Sequence, residues 1–170
     1  MLKIINDLRP FFEDNYRRIN VREYARILKI SPPTASKLLQ SCQKEELLKK
    51  EEEKQYFYYF ADKDSGLFID LSRIYWKSAL ENCGILGYLG EELMSPIIIL
   101  FGSLSKAEAK GDSDADLAVF TPTKKEINLA DFENKLKRTI HIFMFKNKKD
   151  VKNPELLNSI LNGYKLKGGW

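Results

Sequence analysis

The sequence predicts an α+β chain in two parts: short helices closed by a β-hairpin, then a mixed sheet flanked by helices. Three observations carry this. Two amphipathic helical stretches, joined by a turn at Ser31-Pro32-Pro33, precede the aromatic run Gln55 to Phe60. The apolar run Ile97 to Phe101 stops at Gly102-Ser103. Asp114 and Asp116 then open a second apolar run, Leu117 to Phe120. The implied divisions are a first domain over residues 1–62, connecting helices over 63–90 and a second domain over 91–170.

The composition sets the class. With 170 residues there is room for two small domains. Hydrophobic residues make up 44% and charged residues 31%, a globular balance that excludes a disordered chain. No apolar run reaches the roughly 18 residues of a membrane span. Met1 to Ile5 lacks the apolar core and cleavage site of a secretion signal. A cytoplasmic location without a membrane partner is therefore expected. Cys42 and Cys83 stand in no Cys-x-x-Cys or Cys/His cluster, which speaks for two reduced thiols and against structural zinc. The net charge of +4 permits nucleic-acid binding without demanding it. Six lysines lie between Lys146 and Lys167 (146, 148, 149, 152, 165 and 167), and they read as a solvated face.

Leu2 to Phe12 repeats apolar residues at helical spacing. Asn20 suits the N-cap of a helix over Val21 to Leu28, whose Val21, Tyr24, Ala25 and Leu28 share a face. Ser31 suits the cap of the next helix, from about Pro33 to Lys44, and prolines in a first turn forgo N–H groups that lack partners anyway. That helix buries Ala35, Leu38 and Leu39. Leu47-Leu48-Lys49-Lys50 leads into charges, and Gln55 to Phe60 is rich in β-formers. Two helices on a tight turn followed by a hairpin form the winged variant of the helix-turn-helix.

The stretch VREYARILKISPPTASKLLQSCQKEELLKKEEEKQYFYYF resembles winged-helix regulators of the MarR and ArsR type. That resemblance implies a helix entering the major groove of double-stranded DNA, with the wing on the backbone. Carried over, the groove-facing residues are Ser31, Thr34, Ser36, Lys37 and Gln40, with Lys49, Lys50 and Lys54 near the wing. One departure is Glu46, where the family often has glycine before the paired leucines. The proposed reading helix carries only Lys37 and Lys44 as cations, so DNA binding is expected to need a homodimer. A domain kept only for protein contacts is the alternative.

Asp64 to Asn82 predicts a connecting helix that buries Leu67, Phe68, Leu71, Ile74, Tyr75 and Leu80, with a further short helix over Ile85 to Leu93. The chemistry lies in IIILFGSLSKAEAKGDSDADLAVF. A glycine after a strand lets backbone N–H groups approach an anion, and Ser103 adds a hydroxyl. A helix starting near Ser103 would aim its positive end at the same spot. Asp114 and Asp116, at i and i+2 on a strand, share a face. Paired carboxylates suit a hard divalent cation, Mg²⁺ or Mn²⁺, which bridges to triphosphate oxygens. Taken alone, Asp-x-Asp is weak, and an ordinary turn of Asp112, Ser113 and Asp114 capped by Asp116 is the better reading. Strand, Gly-Ser, ten residues, Asp-x-Asp and strand together are specific.

This segment resembles the DNA polymerase beta nucleotidyltransferase superfamily, in the minimal branch that includes kanamycin nucleotidyltransferase-like and antitoxin proteins. Gly102, Ser103, Ser113, Asp114, Asp116 and Leu117 match its pattern. The resemblance runs from about Glu91 to Gly168, and NPELLNSILNGYKLKG looks like the closing helix and strand of archaeal members. It implies a nucleotidyltransferase-fold domain in which Gly102 and Ser103, with Lys106 and Ser113, hold a nucleoside triphosphate while Asp114 and Asp116 bind metal. Lys106 and Ala107 stand where members usually have Arg and Gly. A third carboxylate is expected on the strand Thr139 to Phe145, where the chain has His141, its only histidine. His141 is thus a candidate catalytic base beside Asp114 and Asp116, or a surface residue on a lapsed site. Asp131 and Glu133 fall on an expected helix. The leading expectation is transfer of a nucleoside monophosphate, AMP, from ATP with Mg²⁺. The alternatives are a transcription regulator with an inactive transferase domain, and an antitoxin paired with a helical toxin.

Overall fold

The hydrogen bonds at the helix ends set the frame of the N-terminal elements. In the computed structural model, which describes residues 3–169, helix α1 spans Lys3–Glu13 and the two-residue strand β1 spans Ile19–Asn20. Asn20 then caps α2 (Val21–Leu28), its side chain accepting from Glu23 N at 3.0 Å. Ser31 caps α3 (Pro32–Lys44) through Thr34 N. Strands β2 (Leu48–Glu53) and β3 (Tyr56–Ala61) pair antiparallel, with Glu53 opposite Tyr56. The two-residue loop between them, Lys54-Gln55, has positive φ at both positions, as a type I′ hairpin turn requires. Strand β1 adds to β3, so the sheet order is β1-β3-β2.

Contacts divide the chain into two units, Met1–Ser72 with Ala107–Gly111, and Arg73–Lys106 with Asp112–Trp170. The first is packed around Ile5, Leu8, Phe11, Phe12, Ile19, Tyr24, Leu39 and Tyr59. Tyr24 donates its hydroxyl to Asp7 O at 2.7 Å, which satisfies the one polar atom of a buried ring. Asn15, also buried, accepts from Ala109 N at 2.6 Å and donates to Phe11 O at 2.7 Å. Glu46 has φ +56° and Ala107 has φ +54°. Both positions, where the two resemblances would place glycine, thus fall on left-handed backbone, which the chain forms with L-residues.

Helix α4 (Gly66–Cys83) runs through the division between the units. Its apolar face differs from the one expected. Leu67 is 56% exposed and Ile74 44%, while Trp76 is 2% exposed. Leu67 and Ile74 lie seven residues apart and share a stripe one 100° step from the Phe68–Tyr75 stripe, which is the buried one. Trp76 and Leu80 continue that buried side.

In the second unit, α5 (Ile85–Glu92) leads to β4 (Ile97–Phe101), β5 (Ala115–Phe120), α6 (Ala130–Leu136), β6 (Ile140–Phe145), α7 (Pro154–Leu161) and β7 (Tyr164–Lys167). The strand order is β6-β5-β4-β7; β5 and β6 are parallel and the other pairs antiparallel. A mixed sheet flanked by helices is the α+β arrangement expected. Alternation fills both faces. Ile98, Leu100, Leu117 and Val119 are fully buried. Ile99, Phe101, Ala118 and Phe120 cluster with Val151 and Ile160, and Leu156 and Leu157 of α7 pack against them. No helix among the described residues is long and apolar enough to cross a membrane. Cys42 and Cys83 are buried and free, and burial pushes the Cys42 thiol up to about 11, so neither is a poised nucleophile.

Candidate functional site

The sheet register builds the site. Phe101, the last residue of β4, lies opposite Asp116 on β5, and Asp116 lies opposite His141 on β6. All three therefore occupy one row and one face of the sheet. Asp114 precedes the first residue of β5, yet its Oδ2 comes within 4.0 Å of His141 Nδ1. Asp116 Oδ1 is 3.4 Å from the same nitrogen. So Asp114, Asp116 and His141 converge, although only two of them stand on strands. Phe101 and Phe143 stack edge to face beside this row, with ring centroids 5.3 Å apart.

Gly102 follows β4 at φ +72° and ψ −154°, a conformation open in practice to glycine alone. A Cβ built there would stand 2.5 Å from Asp116 Oδ2. The missing side chain is what lets the turn lie against the carboxylate. Ser103 to Ser105 form a single 3₁₀ turn, closed by Ser105 N to Gly102 O and Lys106 N to Ser103 O. This corrects the expected helix at Ser103. Ala107 turns left-handed directly after it, so no stack of peptides builds a macrodipole there. Any anion would meet the N–H groups and hydroxyls of this short turn alone. Ser105 also donates its hydroxyl to Gly102 O at 2.9 Å. Ser103 is half-buried beside Gly102, Ser113 is half-buried ahead of Asp114, and Lys106 is exposed.

Burial raises the Asp116 carboxyl above its ordinary value, and the Asp114 charge adds to this, while the His141 hydrogen bond and charge oppose it. Two acids on one partly desolvated patch favour a cation between them. Among the described residues, no three His, Cys, Asp or Glu side chains are grouped to hold a metal ion by themselves. That donor set fits Mg²⁺ in its usual form, in which one or two carboxylates bind and phosphate oxygens and water complete the shell.

Comparison with known proteins bears on this region. Residues 89–166 match the family model Polymerase beta, Nucleotidyltransferase. The match supports the nucleotidyltransferase superfamily for this part of the chain, and it contains the whole Gly102, Asp114, Asp116 and His141 constellation. No curated protein and no solved structure gives a significant match. Within the matched segment, Glu133 accepts from Ile140 N at 2.8 Å and thereby ties α6 to the start of β6. Asp131 is exposed on α6.

In the first unit the named side chains are distributed differently. Ser31 and Thr34 hydroxyls bond each other at 2.8 Å in the α3 cap, and Gln40 donates to Ser36 at 3.0 Å. Lys37 is exposed, and Lys54 sits at the hairpin tip. Lys49 pairs with Asp62 and Asp64, while Lys50 lies over the Phe57 ring. Arg18 pairs with Glu51 and Glu53. Sequence reasoning passed over Arg22, Arg26 and Lys29. They are exposed and make no ion pair among the described residues; Arg22 and Arg26 stand at i and i+4 on α2, and Lys29 is its C-cap. That spacing is readable without coordinates.

Proposed function

We propose that the protein is a cytoplasmic nucleotidyltransferase that moves AMP from ATP to a hydroxyl, coupled to a DNA-binding winged helix over residues 1–62. The convergence of Asp114, Asp116 and His141 beside the Gly102 turn carries this reading. Gly102 and Ser103 would receive the triphosphate, with Ser113 and exposed Lys106 at its margin. Asp114 and Asp116 would hold Mg²⁺, which when bound neutralises charge on the phosphates. His141 turns Nδ1 to the carboxylates, so its other nitrogen, Nε2, accepts the proton of the attacking hydroxyl. The hydroxyl oxygen bonds to the α-phosphorus as the bond to the β-phosphate oxygen breaks, and pyrophosphate leaves with that electron pair. Asp116 then stabilises the imidazolium formed. The test is purified protein with Mg²⁺ and labelled ATP. Label should be bound or transferred by the wild type and lost in Asp114→Ala; equal signals from both would defeat the transferase reading.

A second reading rests on His141 itself. A neutral base in place of a third acid suits a domain that binds nucleotide without turnover and serves a regulator. In both versions the helices, not the wing, supply the DNA contact. Arg22, Arg26, Lys29 and Lys37 offer exposed charge for phosphates, whereas Glu51, Glu52 and Glu53 line the wing. A homodimer would double these contacts. A gel shift on the DNA upstream of the protein's own gene should show a salt-sensitive complex weakened by Lys37→Ala. No shift at low salt would exclude the regulator.

A further inference from the structure

The two loops of the site are each held by an arginine. Arg73 on α4 donates from Nε to Ser105 O at 2.9 Å, at the back of the Gly102 turn. Arg138, two residues ahead of β6, donates from Nη1 to Ser113 O at 2.9 Å, at the peptide leading into Asp114. The Arg138 guanidinium lies over the Trp76 ring, with Cζ 5.1 Å from its centroid. Arg73 and Trp76 are three residues apart on α4, so one helix face serves both loops, the first directly and the second through Arg138. Trp76 is buried and Ser105 fully so, which gives the contacts a fixed base.

The chemistry of these contacts suits bracing. A trans peptide points its C=O and N–H in opposite directions, so fixing Ser113 O fixes the orientation of the peptide that carries Asp114. The same holds for Ser105 O and the Lys106 N–H, which closes the 3₁₀ turn on Ser103. A guanidinium donates along set directions while lying flat on an aromatic face; an ammonium can sit over a ring but has no planar fork to do both at once. Neither arginine stands in the Gly-Ser or Asp-x-Asp pattern, and they lie 65 residues apart in the sequence.

We propose that Arg73 and Arg138, seated on the Arg73–Trp76 face of α4, are positioning residues that set the distance between the phosphate-binding turn and the carboxylate pair. Their role in nucleotide binding rests on the nucleotidyltransferase reading above. The bracing itself does not.

The test combines amide hydrogen exchange with binding of ATP and Mg²⁺ by equilibrium dialysis, on the full chain. Arg73→Met should speed exchange over residues 102–106 about tenfold or more and leave residues 112–116 near wild type, and Arg138→Met should do the reverse. Each should weaken ATP binding about tenfold. Arg138→Lys, which keeps the charge without the planar fork, should fall between Arg138→Met and wild type. It also decides the matter if Arg138→Met does not fold. Exchange that rises evenly across the second unit, or in neither loop, would overturn the proposal. So would wild-type exchange in Arg138→Lys. Wild-type protein that binds no nucleotide while the loop-specific exchange persists would defeat the transferase reading and leave the brace standing.

Discussion

Replacing Gly102 by alanine probes the site at its tightest point. Two effects add. The backbone at φ +72° and ψ −154° is strained for any residue with a Cβ, by about 1–3 kcal/mol. The new methyl also falls 2.5 Å from Asp116 Oδ2, well inside contact distance, so the carboxylate must swing by about 1 Å. Together the loss should be about 2–4 kcal/mol, read as a lower urea midpoint at unchanged slope. The displaced carboxylate should weaken ATP and Mg²⁺ binding about ten- to a hundredfold. A double-mutant cycle separates the two effects. In an Asp116→Ala background the oxygen is gone, and Gly102→Ala should cost the backbone part alone. The reasoning fails if Gly102→Ala matches the wild type in midpoint and affinity. It also fails if the cost is the same with and without the Asp116 carboxylate.

Four further outcomes follow from the geometry. Glu46→Gly should raise stability by about 0.5–1 kcal/mol in urea melts, since relief at φ +56° exceeds the entropy glycine adds to the unfolded chain. Ala107→Gly, equally left-handed but buried, should come out near zero because a packed methyl is lost. Asn15→Ala should cost about 2–4 kcal/mol by thermal melting, because it leaves Ala109 N and Phe11 O without their buried partner. Asp116→Asn should melt higher than metal-free wild type at pH 7. The folded carboxyl is raised above 3.8, so its ionised form destabilises the fold; that cost vanishes as pH falls through the shifted value, and the gap between the two proteins should close there. A gap that widens toward acid would contradict the assigned direction.

Much of this was legible in the residues. Asn20 and Ser31 announced their helices because capping is local chemistry, decided within three residues of the cap. Ile97 to Phe101 read as a strand because a buried strand needs no alternation. Long-range effects were less visible. Leu48–Glu53 is a strand of lysines and glutamates with little β propensity of its own, formed because the aromatic β3 supplies its partner. Trp76 does not stand out in the sequence because seven-residue spacing favours Leu67 and Ile74 equally, and only tertiary packing chooses between adjacent stripes. Within the site, Gly102, Asp114 and Asp116 form a spacing pattern that can be read. Arg73 and Arg138 cannot be found that way, because their acceptors are backbone carbonyls and leave no trace in side-chain identity.

The pairing of β5 with β6 has a consequence at the level of the gene. The unbroken parallel register sets position 141 opposite Asp116 whatever residue stands there. Histidine and aspartate codons differ by one base. A single point mutation would therefore deliver a third acid to the carboxylate pair without shifting a strand, and the reverse mutation would remove it. The choice between a base and an acid at this centre is written in one codon, while the scaffold around it stays the same.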